Sequence, residues 1–156
     1  MAEETEKPEQ LLEEVRNNAT QNDFKMKNKV REMIQYGNPI LRNFPKVERY
    51  GLALQIKNAM YDIMHLVIRL ENKTFKKTTL GDLDTELDWL RQCLQIAQDK
   101  NSFPDQKPCI SIHQYEVWSR KANEIGKMIG GYYNSLNPQK TKKKRDSGAS
   151  RFFYGK

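Results

Sequence analysis

Apolar residues recur along most of this chain at the spacing of α-helices. In three segments they step by alternating three and four residues, which keeps their side chains on one face of a helix. These stripes run from Ala53 to Leu70, from Leu80 to Ala97 and from Tyr115 to Leu136. No segment alternates apolar and polar residues for long enough to indicate a strand. The pattern therefore predicts an all-α protein.

A fourth, weaker stripe runs from Met26 to Phe44 and is interrupted by Gly37 and Pro39. We expect a kink or break there, because proline removes a backbone donor and crowds the preceding turn. The four predicted helices span residues 24–43, 46–72, 80–100 and 112–136. Their similar lengths and short connections favour an antiparallel, up-down-up-down four-helix bundle.

Residues typical of helix starts mark three of the predicted boundaries. Pro45 suits the first turn of the second helix, where a missing backbone N–H is tolerated. Thr79 and Asp82 have the spacing of a capping pair that opens the third helix. Ser111 and Gln114 have the spacing of a capping box that opens the fourth.

Charge divides the 156 residues into three parts, although the formal net charge is only +7. Residues 1–22 carry six acidic and two basic residues, whereas residues 137–156 carry seven basic residues and one acidic residue. We interpret 1–22 as a flexible acidic segment, 23–136 as the bundle and 137–156 as a disordered basic tail. The tail contains Lys142, Lys143, Lys144 and Arg145, followed by Phe152, Phe153 and Tyr154. It is either a solubilising extension or an arm that binds phosphates or docks on a partner.

Several classes of protein are excluded by composition. No apolar run approaches the roughly 18 residues that a membrane span needs, so we expect no membrane partner. The acidic N-terminus lacks the apolar stretch of a signal peptide. Cys93 and Cys109 alone do not make a disulfide framework, which favours a cytoplasmic location.

The ionisable residues show no catalytic or metal-binding grouping. Neither His65 nor His113 is paired in sequence with a nearby cysteine and aspartate. Two cysteines without a second pair do not indicate a zinc site, and the acidic residues between Asp82 and Asp88 lack the glycine and distal glutamate of a calcium loop. No glycine-rich phosphate loop follows a strand. We therefore expect no enzyme activity, no metal and no cofactor.

The second predicted helix is apolar around more of its circumference than one buried face requires. The residues off its main stripe are Leu52, Ala59, Tyr61, Met64, Leu66 and Ile68. Such a helix has either a wide core face with some exposed apolar residues or a second buried face at a subunit interface. We favour the interface, and hence an oligomer.

Glycines in the last predicted helix support an interface. Each interior glycine weakens a helix by roughly 0.8–1 kcal/mol relative to alanine. We therefore expect a favourable packing contact to compensate for Gly126, Gly130 and Gly131. Gly126 and Gly130 lie four residues apart on one face and permit the close approach of a neighbouring helix. Alternatively, Gly130 and Gly131 simply end or bend the helix.

Basic residues in the predicted bundle indicate a polyanionic partner. They are Lys46, Arg49 and Lys57 on the second helix, Arg91 on the third, and Arg120, Lys121 and Lys127 on the fourth. A solvated surface is the usual place for any one of them. Together with the tail they favour binding to nucleic acid. No helix-turn-helix, zinc-finger or RNA-recognition signature accompanies them, so sequence-specific base reading is poorly supported.

Three short segments resemble the landmarks of one protein superfamily. They read FPKVERYGL from Phe44 to Leu52, LDWLR from Leu87 to Arg91, and EIGKMIGGY from Glu124 to Tyr132. This superfamily comprises the four-helix-bundle proteins encoded in intervening sequences of large ribosomal RNA. It includes the accessory variability determinant (Avd) of diversity-generating retroelements. The resemblance covers roughly 23–136, and Arg49 and Arg91 fall on its motif positions.

The resemblance implies a small, basic four-helix bundle that assembles into a homopentamer. Avd proteins bind the reverse transcriptase of the retroelement and its template RNA, and they are needed for mutagenic cDNA synthesis without being enzymes themselves. The ribosomal-RNA intervening-sequence proteins share the landmarks, so the alternative is an oligomeric adaptor for protein interactions. The basic tail favours the retroelement member, although the tail and the acidic segment both lie outside the resemblance.

Overall fold

The computed structural model describes residues 8–72 and 75–136, and over these ranges the chain is helical without a strand. The four α-helices are α1 (Pro8–Arg42), α2 (Leu52–Glu71), α3 (Lys76–Gln98) and α4 (Ile112–Leu136). Two short 3-10 helices, Lys46–Glu48 and Lys100–Ser102, lie in the α1–α2 and α3–α4 connections. The prediction of an all-α protein is confirmed. The predicted basic tail and residues 1–7 of the predicted acidic segment lie outside the described residues.

The helices enclose one apolar core. Each packs against the next along the chain, and α4 returns to pack against α1. Every helix contributes fully buried side chains: Met33 from α1, Met60 from α2, Leu87 from α3 and Trp118 from α4. Burying such a side chain stabilises the fold by roughly 1.5–3 kcal/mol relative to leaving it in water. The sequence stripes therefore correspond to the core faces of the helices.

The first helix differs from its prediction at both ends. It is continuous through Gly37 and Pro39, so the predicted break is wrong. Pro39 lies in the last turn and is exposed, as is Gln35, whose carbonyl loses the proline's hydrogen bond and can bond to water instead. The helix also begins at Pro8, well before the predicted start at residue 24.

Gly37 is buried where α1 meets both α2 and α4. A Cβ atom at this position would lie 2.5 Å from Cζ2 of Trp118 and 3.0 Å from Sδ and Cε of Met60. Real side chains do not approach so closely, so only glycine fits without displacing the core. The residue that interrupts the sequence stripe is therefore a packing requirement.

Helix starts follow the prediction in one case of three. Ser111 and Gln114 form the predicted capping box, since the backbone N–H of each donates to the side chain of the other at 3.0 Å. Thr79 is not a cap: it is buried inside α3, which begins at Lys76. Pro45 precedes the 3-10 helix rather than opening α2.

Candidate nucleic-acid interface

A tight turn fixes the start of the second helix. Phe44 is buried and anchors the connection in the core. The 3-10 helix then places Glu48 so that its carboxylate accepts the backbone N–H of Leu52 at 3.3 Å, at the first turn of α2. This turn carries Arg49 and Tyr50 on the outside, where both are exposed.

An open cleft of about 520 Å³ lies beside this turn, between the end of α1 and the start of α2. Its lining residues are Asn38, Leu41, Arg42, Arg49, Tyr50, Ala53, Leu54 and Lys57. Three of these residues are cationic and none is acidic. We call this site the basic cleft.

The basic cleft has the chemistry of a phosphate-binding surface. Arg42, Arg49 and Lys57 form no ion pair within the described part of the chain, so their donors are available to a ligand. Arginine can hold a phosphate with two parallel hydrogen bonds, and lysine acts as a point charge. The cleft is therefore suited to an anion such as a phosphate.

Of the predicted binding residues, the structure brings only Arg49 and Lys57 together in this cleft. Lys46 is exposed on the adjoining 3-10 helix but does not line it. Arg42 and Tyr50 were missed by sequence reasoning. The very short predicted join between the first two helices was the available signal, because it brings the end of one helix beside the start of the next.

Arg91, the second motif arginine, is tied to its own subunit. Its Nε donates to Oδ1 of Asn123 on α4 at 3.2 Å, and its guanidinium lies 3.4 Å from the carboxylate of Asp88. Burial lowers the pKa of Arg91, and the neighbouring Asp88 counteracts that shift. These contacts give Arg91 a role in joining α3 to α4, and binding to nucleic acid stays a prediction.

The predicted cations of α4 do not line the basic cleft. Arg120 and Lys127 are exposed, whereas Lys121 lies over the ring of Tyr36, with Nζ 5.7 Å from the ring centroid. This cation–π contact joins α4 to α1. Lys142, Lys143, Lys144 and Arg145 lie outside the described residues.

The glycines predicted to pack at an oligomer interface are not equivalent. Gly126 and Gly130 are buried within the single subunit, while Gly131 is exposed, and a Cβ atom there would meet no atom within 4 Å. Their contribution to an interface between subunits stays a prediction.

A comparison with protein-family models identifies the family of this chain. A family model described as bAvd-like matches residues 24–136, which is more than two thirds of the chain. The chain belongs to the bAvd-like family. The suspected resemblance to Avd is thereby confirmed, and the matched region includes the whole basic cleft. Neither a search of curated proteins nor a search of solved structures gives a significant match.

Other chemistry has little support in the described part of this bAvd-like protein. Burial raises the pKa of the Cys93 and Cys109 thiols to about 11, so both stay protonated at neutral pH and are poor nucleophiles. His65 and His113 are exposed, and residues 8–72 and 75–136 contain no group of three acidic, histidine or cysteine side chains able to hold a metal. No helix among these residues is long and apolar enough to cross a membrane.

Asp84 on α3 makes the stability of the fold depend on pH. Burial raises its pKa to about 6, the negative charge of Asp88 adds to the shift, and Arg91 opposes it. The folded protein therefore binds this proton more tightly than the unfolded chain, whose aspartate pKa is near 3.8. The protonated carboxyl therefore contributes stability that grows as the pH falls from about 6 towards 3.8 and is lost as the pH rises through 6.

We expect Asp84→Asn to stabilise the protein at neutral pH, because it removes a partly buried charge. The free energy of unfolding should rise at about pH 7.5 by up to ~1 kcal/mol, a figure reduced for solvent screening, and the gain should vanish near pH 4. Urea denaturation at both pH values measures this. Asp82→Asn, at an exposed position on the same helix, is the matched control. A gain of equal size at both pH values would contradict the assignment.

Proposed function

We propose that this bAvd-like protein is a non-catalytic accessory factor of a diversity-generating retroelement. It binds the reverse transcriptase and the template RNA in the cytoplasm and so enables mutagenic cDNA synthesis. The observation that carries the proposal is the bAvd-like match over 24–136, which spans the basic cleft. The cleft supplies a described surface for RNA phosphates, and the basic tail adds further cations.

The proposed subunit has the up-down-up-down topology. Contacts between α1 and α2 support it: Lys27 pairs with Glu71 at 2.9 Å, and Asn38 donates to the hydroxyl of Tyr61 at 3.1 Å. Residue numbers thus rise along α1 as they fall along α2, as in antiparallel neighbours. The same order holds for the pairs Lys29–Glu124 and Tyr36–Trp118 between α1 and α4, and for Lys76–Tyr132 and Arg91–Asn123 between α3 and α4.

The proposed assembly is a homopentamer, the state that the Avd resemblance implies. An exposed apolar stripe on α2 supports an oligomer: Tyr61 and Ile68 lie seven residues apart and are 47 and 42% exposed. Trp89 and Ile96, also seven apart, are exposed on α3. Exposed apolar side chains of this size are favourably covered by a second copy.

In the proposed mechanism, binding brings the polymerase and its template to one scaffold. RNA phosphates displace counterions at the cationic side chains, which favours association and makes it sensitive to salt. The transcriptase docks by complementary charge and by the apolar surface that oligomerisation leaves uncovered. No bond is made or broken by this protein, so its contribution is to effective concentration and orientation.

The proposal predicts a salt-sensitive complex with both partners. Template RNA should bind in about 50 mM salt and weaken by at least 10-fold at about 200 mM, because each phosphate contact releases counterions. Fluorescence anisotropy measures the affinity, light scattering the mass of the assembly, and co-purification the retention of the reverse transcriptase. Replacing Lys142, Lys143, Lys144 and Arg145 by glutamine measures how much the tail contributes to the RNA affinity.

The outcomes separate the proposal from its alternative. If the protein retains a protein partner but binds RNA weakly and without salt dependence, it is an oligomeric adaptor of the intervening-sequence kind. The apolar stripe alone would be enough to form such an oligomer. A monomer that binds neither RNA nor the transcriptase would contradict both functions.

A further inference from the structure

Tyr50 presents an aromatic ring to solvent at the rim of the basic cleft. Its exposed fraction is 89%, one of the highest among the large apolar and aromatic side chains. The backbone that carries it is fixed on both sides, because Phe44 is buried and the N–H of Gly51 donates to the carbonyl of Glu48 at 3.2 Å. The turn therefore fixes where the side chain starts, and the ring, being almost fully exposed, has a face available to stack on a ligand.

The charges around Tyr50 favour a nucleotide over an apolar ligand. Arg42, Arg49 and Lys57 share the cleft with the ring. The nearest acidic side chain on the turn, Glu48, is occupied at the start of α2, where its carboxylate accepts the N–H of Leu52. The cleft therefore combines an aromatic face with three cations and no acidic lining residue, the combination by which proteins bind single-stranded nucleic acids.

The cleft has room for one nucleotide unit. Its volume of about 520 Å³ is within the roughly 300–1,000 Å³ of small-ligand pockets. Leu41, Ala53 and Leu54 give it an apolar wall suited to a ribose or a base edge. In a duplex the base faces are stacked on each other and are not available to a tyrosine, whereas an unpaired base is free to stack.

We propose that the basic cleft binds one unpaired nucleotide of single-stranded RNA, with the base stacked on Tyr50 and the adjacent phosphates held by Arg42, Arg49 and Lys57. This rests on the proposed function and makes it specific, because it requires a single-stranded segment of the RNA. The base itself is selected by stacking and not by its hydrogen-bonding edge. All four bases are therefore accepted at this site.

The test compares full-length variants on a single-stranded RNA of twelve nucleotides and on its duplex. Tyr50→Leu should weaken single-strand binding by about 5- to 100-fold, the range for losing one base–aromatic stack, and leave duplex binding unchanged. Tyr50→Phe should bind as the unmodified protein does, because it keeps the ring. The matched control is Phe75→Leu, which removes an aromatic side chain that is 76% exposed at the start of α3. It should not change the affinity for either RNA.

A fluorescent base analogue placed in the single strand gives a second readout. Stacking on Tyr50 quenches its fluorescence, and Tyr50→Leu should abolish the quenching while light scattering shows an unchanged mass. If Tyr50→Leu leaves the affinity for both RNAs unchanged and Arg49→Gln lowers both affinities, the cleft binds phosphate only. The inference then fails, while the proposed function stands. If the unmodified protein binds neither RNA, both are overturned.

Discussion

Replacing Arg42, Arg49 and Lys57 together by glutamine is expected to lower the affinity for single-stranded RNA by about 100-fold in about 50 mM salt. The three cations line one cleft and form no ion pair within the described residues. For single strands, each phosphate contact contributes about −0.7 to the slope of log affinity against log salt, so three lost contacts reduce the slope by about 2. Anisotropy titrations at several salt concentrations measure both quantities.

A variant of equal charge separates the cleft from the overall charge of the protein. Lys25, Arg69 and Lys77 are exposed on α1, α2 and α3, at the end of the bundle away from the cleft. Replacing these three by glutamine lowers the net charge by the same amount. It should reduce the affinity by only a few-fold, through the weaker long-range field. Equal losses in the two variants would show that the cleft is not the binding site.

The basic cleft was only partly predictable from sequence, for a physical reason. Arg49 and Lys57 lie on one predicted helix, about two turns apart, so the sequence places them near each other, although Arg49 lies in the turn before α2. Arg42 lies on the preceding helix, and its distance from them depends on how the turn after Phe44 bends the chain. The exposure of Tyr50 is equally a tertiary property, since a tyrosine in that sequence context could pack in the core.

Apolar periodicity located the four helices because burial of one face determines both the pattern and the fold. Boundaries were less certain, because the polar first turn of α3 and the polar N-terminal part of α1 carry little of that pattern. Thr79 shows the difficulty: its spacing to Asp82 suits a cap, yet the helix begins earlier and Thr79 is buried inside it. Local capping chemistry specifies a helix start only where the preceding residues cannot extend the helix.

Gly37 shows where packing overrides local propensity. Glycine and proline two residues apart indicate a break by local rules, but α1 continues through both. The helix gains burial of Met33 and Leu41 on either side of Gly37, and its close approach to Trp118 requires the missing side chain. Sequence alone could not distinguish a glycine that ends a helix from one that admits a neighbouring tryptophan.

Gly37→Ala is expected to lower the free energy of unfolding by about 1–3 kcal/mol, the usual cost of overpacking a core. This is opposite to the normal effect, because alanine stabilises an exposed helix interior by roughly 0.8–1 kcal/mol relative to glycine. The added methyl would lie 2.5 Å from Cζ2 of Trp118. That ring is fully buried and makes an edge-on contact with Tyr36, with centroids 6.1 Å apart, so a shift of the ring would disturb that contact.

Gly81→Ala provides the matched control within the same bundle. Gly81 is exposed inside α3, and a Cβ atom there would meet no atom within 4 Å. The same substitution should therefore raise the free energy of unfolding by about 0.5–1 kcal/mol, so the two alanine variants should shift in opposite directions. Urea denaturation followed by circular dichroism measures both. A gain in stability at Gly37 would mean that α1 can move away from Trp118 at little cost, and the close approach would then not be what requires glycine there.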